Sequence, residues 1–473
     1  MSRSVHRVVV LGGGITGLTA AYRLAQAGAG DAKLEIDLVE RSDRLGGKIF
    51  TEHIDNFLVE GGPDTFLTRK PEAVALCNEL GLGDRLIPTN PALRRSFVSR
   101  RGKLHQLPEG MSGFVPSKLG PLFWSGVLSL GGKLRAASEL FVPRYTGDAE
   151  ESVAAFVRRR LGREAYDRLV EPLLCGIHAG DGEQLSLLAV APILRDMEEE
   201  KGSVLRGLRL ATKAAADEVT KFPTPFVSLA GGLQELIGAL ERNLGIVRVR
   251  TGLQAIAARR NEGTLVFQLS NGEEIRATAA IFATPSFATA RLLQTINPPA
   301  SRELGKIRFV SNAAVAMGFR TRDVTHQLNG YGYVVPRCEN TTVLACSWVS
   351  SKLPNRAPDG DVLVRVFLGR DGREVDDTQS DDALIQAARN EVHTVLGAST
   401  NPVFARLFRY PQAMPQYTLG HLDRLAQIDR SLESTPGVFL AGNSYRGAGI
   451  PDCIRSGQQA ASNTLRYLEG VID

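Results

Sequence analysis

Six residues near the N-terminus, Gly12-Gly13-Gly14-Ile15-Thr16-Gly17, are spaced to cradle a phosphate. They follow a short Val-rich apolar run, Val5 to Leu11, and open a stretch, Ile15 to Ala27, whose Leu18, Ala21, Tyr22 and Ala25 recur at helical spacing. Gly12 permits the tight turn, Gly14 lets the backbone approach a pyrophosphate, Gly17 lets helix and strand touch, and the helix N-terminus faces the phosphates. Glu40 closes an alternating run, Leu34 to Glu40, 23 residues after Gly17. A carboxylate there accepts from ribose hydroxyls and repels a 2′-phosphate. The spacing therefore predicts a βαβ unit that holds a dinucleotide.

Three further stretches could do chemistry. Arg41-Ser42-Asp43-Arg44-Leu45-Gly46-Gly47-Lys48 is similar to the E-x-x-x-R-x-G-G extension of flavoproteins. Its glycines let the chain pass beside an extended cofactor, and Arg44 adds positive charge near a diphosphate, so FAD is favoured over NAD. Gly61-Gly62-Pro63-Asp64-Thr65 forms a rigid turn that leads through Phe66 to Thr68 into Arg69 and Lys70. Lys70 taken alone reads as a solvated lysine. Near the C-terminus, Leu440 to Cys453 is a strand, a Gly-rich loop and a helix start, and such an N-terminus stabilises the electron-rich end of a reduced flavin.

The elements that must position these residues follow from periodicity. Strands are predicted at Ile246–Val249, Leu265–Leu269, Ile275–Ala283, Val315–Phe319, Tyr331–Val335, Val343–Ser347, Leu363–Leu368 and Val438–Ala441, with Asn271-Gly272 as a hairpin turn. Helices are predicted at Asp381–Leu396 and Ile454–Leu468. From Pro91 to about Arg209 strand signals thin out and apolar helical stretches take over. Within it, Met111 to Leu130 reads as a buried helix pair, with a membrane-facing surface as the alternative, and Glu198 to Lys201 as a solvated loop or helix edge.

Composition sets outer limits. The chain has 473 residues, enough for two or three interleaved domains, and 43% hydrophobic and 23% charged residues, which speaks against wholesale disorder. A net charge of +5 is too mild for a nucleic-acid footprint but suits an anionic substrate or an acidic membrane surface. The five cysteines are dispersed without a C-x-x-C pair, which points away from a disulfide framework or zinc site and toward a reducing compartment. No signal peptide and no run of about eighteen apolar residues is seen, so a cytoplasmic protein, peripheral at most on the inner face of the cell membrane, is expected.

In order along the chain, GGGITGL (12–18), ERSDRLGGKI (40–49), GGPDTFLTRK (61–70), LHQLPEG (104–110), EPLLCGIHAGD (171–181), SLAGGLQEL (228–236), MPQYTLGH (414–421) and GNSYRGAGIPDCIRSGQQAA (442–461) resemble the oxygen-dependent porphyrinogen oxidases. The resemblance covers nearly the whole chain. It implies a mixed α/β fold: FAD-binding parts at 1–75, 210–285 and 409–473, a substrate domain at 76–93 and 286–408, and a mostly helical domain at 94–209. The cofactor contacts it implies are Gly12 to Gly17, Glu40, Arg41, Arg44, Gly47, Lys48, Gly62 to Thr65, the backbone at Ala255, Tyr410, and Ala448 to Ile450, with FAD held non-covalently. Substrate contacts are implied at Lys70, Ile177 and Tyr333, and His178 is read as packing against the macrocycle. No side chain stands out as a general acid or base.

The match is nearer to the bacterial enzymes that oxidise coproporphyrinogen III than to the protoporphyrinogen enzymes of mitochondria and plastids. The latter tend to carry an arginine where this chain has Ser96, before Phe97, although Arg94 and Arg95 sit close by. The departure makes Lys70 the better anionic anchor. The implied reaction removes six electrons in three two-electron steps and passes them to oxygen, giving hydrogen peroxide. The expected partners are the porphyrinogen, oxygen and a downstream haem-pathway enzyme. Two other readings share the first motifs: a flavin amine oxidase or carotenoid desaturase, and a flavin-free chaperone of prenylated GTPases. A yellow purified protein excludes the chaperone.

Overall fold

The apolar run that opens the chain is sealed on both faces, as a central strand of a parallel sheet must be: Val8, Val9 and Val10 expose no surface. This computed structural model describes residues 5–28, 34–108, 111–112, 115–116, 125–216 and 222–472. The strand His6–Leu11 pairs in parallel with Leu34–Val39 on one side and Ala279–Phe282 on the other. Val247–Arg250 and Val438–Leu440 add the outer strands, giving five parallel strands. The chain leaves the first strand toward one edge and returns later to the other. The carboxyl end of His6–Leu11 is therefore the point where such sheets open a ligand crevice.

Two long helices lie against this sheet, Ile15–Ala27 and Ile450–Ile472. The first spans the predicted residues; the last starts four residues earlier than the periodicity suggests. They pack tightly at Gly457, where any Cβ would stand 2.3 Å from the Thr16 carbonyl oxygen.

The run 275–283, expected as one strand, divides at Thr278. Glu274–Ala277 pairs antiparallel with Thr264–Leu269 in a three-stranded sheet, while Ala279–Phe282 joins the parallel sheet. The Thr278 amide donates to the Arg7 carbonyl at 2.8 Å, which draws the chain onto the first strand. Both halves bury their side chains in one shared core, so the apolar pattern continues across the break.

A second sheet of seven strands runs in the order Phe404–Pro415, Phe309–Arg320, Asp361–Leu368, Val343–Trp348, Gly332–Val334, Phe97–Arg100, Lys103–Gln106. The hairpin 97–106, expected within the helical portion, is thus an edge of this sheet. One face is covered by the helix Asp381–Leu396, capped by Ser380, whose hydroxyl accepts from the Ala383 amide. The other face looks toward the parallel sheet and the helical portion.

The helical portion includes Val153–Leu161, Glu171–His178, Pro192–Lys201 and Val204–Ala216. Glu198, expected on a solvated edge, is fully buried there. Arg159, Arg160 and Arg195 all pair with it, which is what lets a carboxylate sit in the interior. Of the stretch Met111 to Leu130, Met111–Ser112 pairs antiparallel with Val115–Pro116, a hairpin rather than the expected helix, and Leu130 starts a helix. Residues 113–114 and 117–124 lie outside those described.

Candidate active site

The glycine turn after the first strand is built by backbone contact. A Cβ on Gly17 would lie 1.9 Å from the Gly12 carbonyl oxygen, and Gly12 itself takes φ +104°. A Cβ on Gly13 would meet Leu45 at 2.6 Å. Gly14 is the exception: it precedes the helix, and a Cβ there meets nothing within 4 Å. The turn is packed everywhere except where its backbone faces open space. Ile15 and Thr16 are buried beneath it.

Glu40 seals one side. Its carboxylate accepts from the Gly13 amide at 2.6 Å and from the Ser42 amide at 2.8 Å, so it is held rigidly beside the glycine turn. Arg41 is exposed next to it. The Leu253 amide donates to the Glu40 carbonyl at 3.0 Å, which brings the strand beginning at Ala255 to this end of the crevice. Gly46 donates to the Gly13 carbonyl at 2.8 Å, and Gly47 adopts φ +58° with its α-carbon side against Gly14. Arg44 does not point freely into the crevice. It donates to the Gly47 carbonyl at 2.8 Å and stacks on Phe50 at 4.2 Å, stapling the loop. Lys48 Nζ donates to the Ala413 carbonyl at 2.5 Å, and the crowding around it depresses its pKa.

The GGPDT turn is clamped between the two sheets. Gly62 lies so close to the Lys48 carbonyl that a Cβ would come within 1.7 Å of it. Arg365, from the middle of an apolar strand, donates to the Gly62 carbonyl at 2.8 Å. Lys352 donates to Asp64 at 2.8 Å. Burial by itself would raise Asp64, but Lys352 and Arg365 outweigh it and hold the carboxyl at about 2. Thr65 donates to the same carboxylate at 3.1 Å, and Pro63 tops the turn, exposed. Behind the turn, Glu60 is fully buried, accepting from Thr51 and from the Leu233 amide, both at 2.8 Å. Burial raises its carboxyl to about 7. Tyr410, on the strand Phe404–Pro415, has a buried hydroxyl with no partner among the described residues. Burial pushes it up to about 12.

At the far end of the GGPDTFLTRK stretch, Lys70 pairs with Asp452 at 2.6 Å in the first turn of the last helix. It is an ion-paired strut, not the free cation the sequence suggested, although 42% of its side chain is exposed. Asp452 lies under the loop that carries Ala448 and Gly449 into Ile450: a Cβ on Gly447 would come within 2.6 Å of its carboxyl carbon. The N-terminus of the last helix and that of Ile15–Ala27 thus belong to one tightly packed pair, joined at Gly457.

The substrate-side residues divide. The face of the seven-stranded sheet that carries Arg365 also carries Val334, Ala345, Ser347 and Phe367, all partly exposed. Val334 packs toward Gly176, where a Cβ would meet it at 3.3 Å. Next to that contact Ile177 remains 54% exposed. His178 is crowded enough that burial lowers it to about 4. Tyr333, expected to touch substrate, is 2% exposed on the opposite face, its hydroxyl donating to Glu391 of the covering helix at 3.0 Å. Strand alternation decides this: a one-residue step in register moves a side chain to the other face, and Val334 is the residue turned toward the helical portion. Arg94 and Arg95 are exposed ahead of the strand Phe97–Arg100, without an ion-pair partner among the described residues.

A family model of flavin-containing amine oxidoreductases matches residues 15–465. The chain is 35% identical to the coproporphyrinogen III oxidase of Bacillus subtilis, over 99% of this chain and all of that protein. It is 31% identical to the chloroplastic protoporphyrinogen oxidase 1 of Arabidopsis thaliana, over 97% of this chain and 88% of that one. A crystal structure from an Exiguobacterium species, assigned as a protoporphyrinogen oxidase, superposes with a TM-score of 0.87 at 31% identity, covering 99% of this chain and 100% of that one. The chain is a flavin-containing amine oxidoreductase of the porphyrinogen oxidase family.

This porphyrinogen oxidase family member is an oxidoreductase, and its cofactor is FAD. The crevice fits that group on two observations: the unfilled space at Gly14 and the unpartnered buried hydroxyl of Tyr410. Sequence reading missed Arg365, Lys352 and Asp452. A lone arginine inside the apolar run Val362 to Leu368 was the available signal for the first, and Asp452 stands within the C-terminal motif GNSYRGAGIPDCIRSGQQAA.

The two glycines of the turn give opposite outcomes. Gly14→Val should fold, because nothing opposes its side chain in the protein, yet be purified without flavin. Gly17→Ala should fail to fold stably, because its Cβ collides with the Gly12 carbonyl. Absorbance of FAD per chain together with thermal unfolding separates the two, and a yellow Gly14→Val protein would remove Gly14 from the crevice.

Glu60 sets a pH dependence. The native state holds its proton up to about pH 7, whereas an unconstrained glutamate releases it near 4.5. The native state therefore binds more protons between those values, and stability falls as pH rises across that window. The loss is on the order of 3 kcal/mol. Urea denaturation at several pH values should show this slope in the wild type and not in Glu60→Gln.

Proposed function

We propose that this chain oxidises coproporphyrinogen III to coproporphyrin III in haem biosynthesis, with oxygen as the acceptor. The observation that carries the reading is the partly exposed wall of Val334, Ala345 and Phe367, set between the Arg365-clamped GGPDT turn and the exposed Ile177. It offers the apolar body of a tetrapyrrole macrocycle a surface beside the cofactor crevice. The full-length identity to a coproporphyrinogen III oxidase supports the substrate assignment over protoporphyrinogen IX.

FAD, when bound, supplies the two-electron acceptance that three rounds of oxidation need. The residues proposed to hold it are the Gly12 to Gly17 backbone, Glu40 and Arg41 at the ribose end, Gly47 and Lys48 along its length, Gly62 to Thr65, Tyr410, the backbone near Ala255, and Ala448 to Ile450. The chain contributes position and charge. Two helix N-termini face the anionic parts of the crevice. Lys352 and Arg365 fix the GGPDT turn with the Asp64 carboxylate ionised. On the substrate side, Arg94, Arg95 and the exposed part of Lys70 meet propionates. His178, held neutral by burial, packs against the ring rather than carrying charge.

The same reading takes the protein to be cytoplasmic, with a peripheral contact to the inner face of the membrane. Among the described residues no helix is long and apolar enough to cross a bilayer. Leu130, Leu134 and Phe141 are 71%, 58% and 85% exposed, with Lys133 and Arg144 nearby, a combination suited to an anionic lipid surface. In co-sedimentation with anionic vesicles, Leu134→Asp/Phe141→Asp should be recovered in the supernatant while the wild type pellets.

Coproporphyrinogen III should be turned over with a higher kcat/KM than protoporphyrinogen IX. Each partly exposed propionate contact is worth about 0.2–1 kcal/mol, so a preference from several-fold to a few tens is expected. It should shrink as salt screens the charges. Porphyrin fluorescence follows both substrates in parallel, and equal or faster turnover of protoporphyrinogen IX would transfer the assignment to that substrate.

A further inference from the structure

The motif MPQYTLGH has no part in the site as described so far, yet two adjacent residues in it reach both halves of that site. The strand Phe404–Pro415 ends at the motif, and the chain continues extended through Gln416 and Tyr417, 1% and 3% exposed. Successive side chains of an extended segment point in opposite directions. Gln416 Nε2 donates to the His178 carbonyl at 3.0 Å and to the Met414 carbonyl at 3.1 Å. The Gln416 side chain also packs on Gly180, where a Cβ would stand 2.3 Å from Oε1. It therefore grips the turn that follows Ile177, where Ala179 takes a left-handed conformation to end the helix.

Tyr417 reaches the other way. Its hydroxyl donates to the Asn443 carbonyl at 2.5 Å and accepts from the Gly447 amide at 3.0 Å. The ring stacks on His421 at 4.4 Å, and His421 Nε2 bonds the Tyr445 carbonyl at 2.8 Å. These contacts hold the loop 443–447, which leads directly into Ala448, Gly449 and the last helix. The backbone around the pair is fixed as well: Gln416 N donates to the Arg308 carbonyl at 2.9 Å, and the Ser186 amide to the Tyr417 carbonyl at 2.8 Å. The two residues are adjacent in the chain, and the backbone that joins them is held at both positions.

We propose that Gln416 and Tyr417 are a pair of positioning residues that couples the substrate-facing turn 177–180 to the cofactor-facing loop 443–449. Neither touches the reacting atoms. Occupancy of the turn by a porphyrin tightens the loop on FAD, and the effect is reciprocal, as any binding linkage must be. The inference rests on the reading that the macrocycle sits beside Ile177.

The test measures release of FAD from the holoenzyme, by the rise in flavin fluorescence, with and without saturating coproporphyrin III. Wild-type release should slow by about fivefold or more when the porphyrin is bound. Tyr417→Phe keeps the ring stacked on His421 and removes only the hydroxyl, so it should fold; its FAD should leave about five- to tenfold faster without porphyrin. Gln416→Met should leave that basal rate unchanged and raise KM with kcat preserved. In both variants the slowing by porphyrin should disappear, and the double variant should lose no more coupling than either single one. Retention of wild-type slowing in both single variants, or no slowing in the wild type, overturns the proposal. Ile177→Asp separates the underlying reading from the coupling. If that change leaves coproporphyrin affinity unaltered, the macrocycle sits elsewhere and both fall. If it weakens the porphyrin while the two positioning variants keep wild-type slowing, only the coupling falls.

Discussion

Backbone segments meet in this protein at distances that only a missing side chain permits. Gly17 rests on the Gly12 carbonyl, Gly62 on the Lys48 carbonyl and Gly457 on the Thr16 carbonyl, each closer than any Cβ could approach. These three contacts bring the first helix, the GGPDT turn and the last helix around one crevice at the carboxyl end of the central strand. The open space at Gly14, where a Cβ would meet nothing within 4 Å, is the complement of that packing, and it is the side proposed to take the pyrophosphate.

Charge placement follows from the same compression. Buried carboxylates have to find partners or give up their charge. Glu40 takes two backbone amides, Asp64 takes Lys352, and Glu60, with only neutral donors in contact, holds its proton instead. The helical portion solves the same problem with Glu139 and Glu198 against Arg159, Arg160 and Arg195. Lys70 and Asp452 belong to this pattern, so that a lysine beside the crevice is first of all a structural tie. Its exposed part is what remains for an anionic ligand.

The two halves of the site are built on different principles. The proposed cofactor side is backbone, glycines and helix ends, which tolerate little change. The proposed substrate side is one face of a mixed sheet, lined by the side chains of Val334, Ala345 and Phe367, against the end of the helix Glu171–His178. Such a surface can be retuned by substitution without disturbing the strands. Gln416 and Tyr417, joined by a single peptide unit, stand where the two constructions meet, one bonded to the His178 carbonyl and the other to the loop 443–447.

By itself the sequence determined what depends on neighbours along the chain. The helix Ile15–Ala27, the helix Asp381–Leu396 and the Asn271-Gly272 turn follow from periodicity, capping and glycine alone, and the order of motifs identified the family. Tertiary structure decided whatever depended on a distant partner or on the phase of a strand. Tyr331 to Val335 reads as apolar throughout, so nothing local says whether Tyr333 or Val334 faces the helical portion; pairing with Val343–Trp348 does. The split at Thr278 needed the Arg7 carbonyl, Glu198 became interior only through three arginines, and Lys70 lost its freedom to a carboxylate 382 residues away. Periodicity is a property of a segment, whereas burial and charge pairing are properties of what the rest of the chain places against it.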